Sequence, residues 1–201
     1  MSRISIACIV EGHGDVKAVP LLVRRIVHEI DPSVTLAIPE PAIRVSRSSL
    51  VKIGELERAV TLAANKNAAP GGVLVLVDAD DDCPAELGPK LLSRAQAVRA
   101  DAPVAVVLAN HEYEAWFLAS AIALRGKQGL LETLEPPADP ESVRGAKEWL
   151  RERMSGSRTY RETVDQPALT RLLDVQSARQ AASFDKLHRD ITHMVEQLRG
   201  A

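Results

Sequence analysis

Three short, almost wholly apolar runs constrain this chain most: ISIACIV (4–10), VLVLV (73–77) and VAVVLA (104–109), each running into acidic residues. A strand that is apolar at every position suits burial on both faces, the pattern of a parallel sheet covered by helices. Between the runs the period becomes helical. Val19, Leu22, Val23, Ile26, Val27 and Ile30 line one face that stops at Asp31-Pro32. Leu50, Ile53, Leu56, Val60 and Ala63 predict a second helix, capped by Ser48 or Ser49 and ending before Pro70-Gly71-Gly72. Leu87, Leu91, Leu92, Ala95 and Val98 predict a third, which Pro84 could open. A weaker strand lies within VTLAIPEPAIRV (34–45), where Pro39 and Pro41 argue for an edge or irregular position. The alternation predicts an α/β sheet with right-handed crossovers.

With 201 residues and 46% hydrophobic content, the chain supports one substantial core. GKQGLLETLEPPADPES (126–142) contains no strand-like run, and only helical periods follow it. An α/β core over 1–126 and a helical extension over 127–201, packed on that core, are therefore expected. Phe184, Leu187, Ile191, Met194, Val195 and Leu198 form the clearest helical face of the extension, with Ser183 as a candidate N-cap.

The formal net charge of −2 gives no global attraction to a polyanion, so a nucleic-acid contact must come from a local basic face. The stretch from Arg144 to Arg161 offers one: Arg144, Lys147, Arg151, Arg153, Arg158 and Arg161 against Glu148 and Glu152, with Lys186 and Arg189 as additions. A solvated helix face laced with internal ion pairs explains the same residues equally well. Cys8 and Cys83 show no zinc or disulfide spacing, which points to a reducing cytoplasm, and ISIACIV is too short to span a membrane.

In an open parallel sheet, ligands bind where side chains leave the carboxyl ends of the strands. Here those ends carry Glu11-Gly12, then Asp78-Ala79-Asp80-Asp81-Asp82, then Glu112 and Glu114. Two apart in an extended segment, Asp78 and Asp80 are expected on one face, with Glu11 opposite them if the strands are neighbours. Carboxylates that close need a cation, and all-oxygen ligation favours Mg2+ or Mn2+ over Zn2+. Gly12 and Gly14 loosen the turn before the first helix, whose N-terminal amides make a phosphate perch. Taken alone, DADDD reads more simply as a solvated loop or helix N-terminus; acids at three strand ends together favour a metal site.

Competing motifs fail on spacing. EGHGDVK lacks the third glycine of a dinucleotide fingerprint and the Gly-Lys-Ser/Thr of a P-loop. As a calcium loop, DADDDC has Cys83 at its sixth position and Pro89 at its twelfth. His111-Glu112 has no second histidine for a zincin. His13 reads as a solvated turn residue, and Trp116 and Phe117 fit core packing better than base stacking.

A strand ending Glu-Gly and a later strand ending Asp-x-Asp resemble the Toprim domain over roughly residues 1–125. The closest likeness is to the branch that includes OLD-type nucleases and an uncharacterised bacterial family related to phage-defence proteins. EAWF (114–117) resembles the Glu-x-Trp setting of a further acid in those relatives, and SFDKL (183–187) is similar to the uncharacterised family's tail. The resemblance implies a magnesium- or manganese-dependent nuclease acting on DNA or RNA. Glu11, Asp78 and Asp80 would be its metal-binding and catalytic acids and Glu114 its supporting acid, with Glu112 a weaker occupant of that last role. Asp81 and Asp82 are additions to the family's simplest pattern. The resemblance also implies a partner protein such as an ATPase, or a homo-oligomer; no membrane is expected, because no apolar run approaches spanning length. Arg144, Lys147, Arg151 and Lys186 are the candidate nucleic-acid contacts. Two alternatives remain: a phosphomonoesterase of haloacid-dehalogenase type, which also opens on Asp-x-Asp but leaves Glu11 idle, and a non-catalytic metal- and partner-binding module.

Overall fold

The apolar runs form adjacent parallel strands. A computed structural model describes residues 2–68 and 70–200. Strand β1 (Arg3–Val10) pairs with β4 (Gly71–Asp78), and β4 pairs with β5 (Val104–Ala109), all parallel. The other edge of β1 is shared by two short strands, β2 (Thr35–Ala37) along its start and β3 (Ile43–Arg44) along its end. Pro39 and Pro41 fall between β2 and β3, so the expected edge strand exists but is broken where proline cannot donate to the ladder.

Alternation along the strands divides the core into two layers. Ile4, Ile6, Cys8 and Val10 of β1, with Leu74 and Leu76 of β4, pack beneath helix α1 (Asp15–Ile30) and helix α10 (Ala182–Gly200). Ala7 and Ile9, with Val73, Val75 and Val77, face helices α3 (Glu55–Lys66) and α4 (Pro84–Val98). This is a parallel sheet with helices on both faces, the expected α/β class, and it is consistent with a Toprim-like arrangement. Order reverses between β1 and β4, and the crevice above that switch point is where side chains from both strands can reach one ligand.

The second predicted helix needs correction. A four-residue helix α2 (Arg47–Leu50) ends at Val51, and α3 begins only after Gly54, whose φ of 92° breaks the helical path. Ile53 falls in the gap and is 94% exposed, so it is not on the buried face that the period assigned to it. The connection is braced by Arg94, which pairs with Glu57 at 2.7 Å and donates to the Val51 and Lys52 carbonyls at 3.0 and 2.6 Å.

After α5 (Ala115–Ala119) and α6 (Ala121–Leu124), the longer helices of the remaining chain are α7 (Ala146–Glu152), α8 (Glu162–Thr170) and α10, with a short α9 (Val175–Ala178). Leu150, Leu169, Phe184, Ile191 and Leu198 join the same buried cluster as β1 and α1. Trp116 and Phe117 are fully buried there, as expected. Ser183 is not a cap but lies inside the first turn of α10. Its Oγ accepts from Trp116 Nε1 at 2.8 Å and from the Asn110 amide at 3.2 Å, and it donates to Glu141.

Candidate functional site

Alternation decides where the acids go. Glu11 follows Val10 and therefore emerges on the face of α3 and α4, whereas Asp78, in phase with Leu74 and Leu76, emerges on the face of α1 and α10. Asp80 does not join Asp78 as expected. The strand ends at Asp78, and Asp80 has a φ of 50°, a left-handed turn that destroys the two-residue period. Glu11, Asp78 and Asp80 thus do not form one triad; they divide between two half-sites.

The outer half-site contains Glu11, Asp80 and Asp82 around one arginine. The Arg47 amide donates to Glu11 Oε1 at 3.2 Å, while its guanidinium lies 3.3 Å from Asp80 Oδ2 and bonds to Asp82. Burial raises the Glu11 carboxyl above the ordinary carboxylate range, opposed by the Arg47 amide and reinforced by the charge of Asp80.

The inner half-site is more enclosed. The Tyr113 amide donates to Asp78 Oδ1 at 2.8 Å, and Tyr160 Oη donates to Glu114 Oε1 at 2.8 Å. The Lys147 ammonium stands 3.9 Å from Asp78, 3.8 Å from Glu112 and 3.6 Å from Glu114. Glu114 has no solvent exposure, and burial pushes its carboxyl up to about 7 despite the attraction of Lys147. Burial also holds Asp78 well above its usual range, with the Glu114 charge adding to the effect. For Lys147 burial opposes the charged form, but Glu114, Asp78 and Glu112 outweigh it and keep the ammonium protonated.

Asp15 joins the halves, since its charge acts on both Glu11 and Asp78. It accepts from the Gly12 amide at 2.8 Å and from Gln166 Nε2 at 2.8 Å. Glu162 Oε1 accepts from the Gly14 amide at 3.2 Å. The expected phosphate perch is therefore already filled by carboxylates. The glycines instead admit α8: a Cβ on Gly12 would lie 2.8 Å from Glu162 Oε1 and 2.9 Å from Asp15 Oδ2.

Among the described residues, no three His, Cys, Asp or Glu side chains are grouped as ligands of one metal ion. Arg47 and Lys147 are the cations that sit among the acids. The donor set nevertheless suits a hard divalent cation, being carboxylate oxygen throughout. Glu11 Oε2 and Glu114 Oε2 are also buried without a hydrogen-bond partner among the described residues, which leaves lone pairs for such an ion.

The basic stretch is largely spent on neighbours. Arg144 pairs with Asp81, Arg151 with Glu148, Arg158 with Asp165, and Arg153 lies over the Trp149 ring. Lys186 pairs with Asp190 and donates to the Val106 carbonyl at 3.2 Å. Lys147 points into the acids. Asp15 was visible within EGHGD, one helical turn after Glu11, but Arg47 and Tyr160 reach the site through tertiary packing and had no local signal.

A protein-family model described as "Domain of unknown function (DUF4276)" matches residues 10–192. No curated protein and no solved structure matches.

Proposed function

This chain belongs to the DUF4276 family, and we propose that it is a divalent-metal-dependent nuclease or related phosphodiester-cleaving protein acting on DNA or RNA. The observation that carries the reading is the fully buried Glu114 carboxylate, one oxygen of which has no hydrogen-bond partner among the described residues, aimed into acids at the switch point of a parallel sheet. Keeping such a group costs stability unless a ligand uses it.

Glu11 and Asp80 in the outer half-site, and Asp78 and Glu114 in the inner one, with Asp15 between them, would hold Mg2+ or Mn2+, which when bound would polarise a phosphate and lower the pKa of a bound water. Tyr160 and Lys147 orient Glu114, and the Tyr113 amide orients Asp78. Lys147 supplies positive charge beside developing negative charge on a phosphate. The Toprim resemblance supports the same reading, as it does action with a partner protein. A haloacid-dehalogenase mechanism is disfavoured, because Asp78 and Asp80 enter different half-sites and cannot act together on one phosphate.

The test is cleavage of labelled single- and double-stranded DNA and single-stranded RNA with Mg2+ or Mn2+, for the wild type, Glu11→Gln and Glu114→Gln. Metal-dependent cleavage lost in both variants supports the proposal. Metal or nucleic-acid binding without turnover, even with a partner ATPase supplied, would replace it with a binding module.

A further inference from the structure

The two resident cations are held differently. Lys147 reaches three carboxylates from α7, whereas Arg47 belongs to the four-residue α2 in the connection between β3 and α3. Its backbone and side chain contact different acids: the amide binds Glu11, and the guanidinium binds Asp80 and Asp82. The match is incomplete. Arg47 Nε is buried without a hydrogen-bond partner among the described residues, and so is Glu11 Oε2. An N–H donor and a carboxylate oxygen left unmatched in one crevice raise the free energy of the arrangement.

A divalent ion would carry twice the charge and would use the oxygen that the guanidinium leaves idle. Asp80 and Asp82 are more than half exposed while the Arg47 side chain is about a fifth exposed, so its guanidinium meets those two acids at the solvent-facing edge of the crevice. Its planar fork matches two oxygens of a phosphodiester.

We propose, on the basis of the metal-dependent reading above, that Arg47 is a displaceable counter-cation. It neutralises the outer acids until a divalent ion takes over Glu11 and Asp80, and its released guanidinium then grips a phosphate of the nucleic acid. Occupying the acids with metal thereby readies the cation for substrate.

Calorimetric titration of Mn2+ into the wild type, Arg47→Ala and Arg47→Gln tests the exchange, with circular dichroism melts confirming that both variants fold. Removing the competing cation is expected to tighten Mn2+ binding roughly threefold to fivefold, the scale of one partly exposed charge contact. In Ca2+, anisotropy of a fluorescent oligonucleotide is expected to show binding weakened by about as much. A wild type that binds Mn2+ alongside folded variants that bind it no tighter overturns the exchange and leaves the metal reading standing. Variants that bind the oligonucleotide as well as the wild type overturn the phosphate grip. A wild type that binds no Mn2+ removes the metal reading and the exchange together.

Discussion

Glu11 and Asp78 leave adjacent parallel strands on opposite faces of the sheet, one bound by the Arg47 amide at 3.2 Å and the other by the Tyr113 amide at 2.8 Å. The acids are therefore two groups bridged by Asp15. Each group has its own basic residue, Arg47 in one and Lys147 in the other, and the perturbations that follow are separable.

Stability of the metal-free protein should fall as pH rises from 5 to 8. Glu114 holds its proton up to about 7 when folded, against an ordinary value of 4.5, so between these pH values the folded state binds more protons than the unfolded state. That extra stability is present below the unfolded value and disappears as pH passes the folded one. Glu114→Gln should flatten this slope, by a free energy on the order of 2 kcal/mol in urea denaturation across the range. An unchanged slope would place the titration elsewhere.

Lys147→Met keeps the length of the side chain but leaves Asp78, Glu112 and Glu114 without their shared cation. Because the lysine is only a quarter exposed, a loss of about 2 kcal/mol is expected at pH 8. The loss should be smaller at pH 5, where Glu114 takes up its proton. Denaturation at the two pH values measures the difference.

Ser183→Ala removes the oxygen that accepts from Trp116 Nε1 and from the Asn110 amide. Two donors then lose their partner in or beside the core, and a cost of about 2 kcal/mol is expected, together with a changed Trp116 fluorescence maximum. A shift in stability below a few tenths of a kcal/mol would mean that another acceptor replaces the hydroxyl.

Ile53→Ser should change stability by less than about 0.5 kcal/mol, since the side chain is 94% exposed. Leu56→Ala, three residues later and fully buried, should cost about 3 kcal/mol. Equal losses at both positions would restore the continuous helix that the apolar spacing predicts.

That last contrast marks where the sequence could be read and where it could not. The period placed Leu56, Val60 and Ala63 correctly because they share the helical face of α3. It misplaced Ile53 because Gly54 turns the chain, and spacing carries no record of a positive φ. Trp116 and Phe117 were legible as core because large aromatic residues at helical spacing bury wherever a cluster is available. Lys147 looked like one cation in a basic stretch; its approach to Asp78 and Glu114 depends on how α7 packs over the end of the sheet.

The sequence by itself determined the alternation of buried strands and helices, the edge position of the proline-rich strand, and the gathering of acids at strand ends. These follow from local periodicity and from the direction in which a parallel sheet presents its carboxyl ends. Only the tertiary structure decided which acids meet. The phase of β1 against β4 sends Glu11 and Asp78 to opposite faces, and one left-handed residue at Asp80 moves a carboxylate from one half-site to the other. Arg47 and Lys147 then reach those acids from segments 33 and 69 residues away from Asp80 and Asp78, respectively, separations that no local pattern encodes.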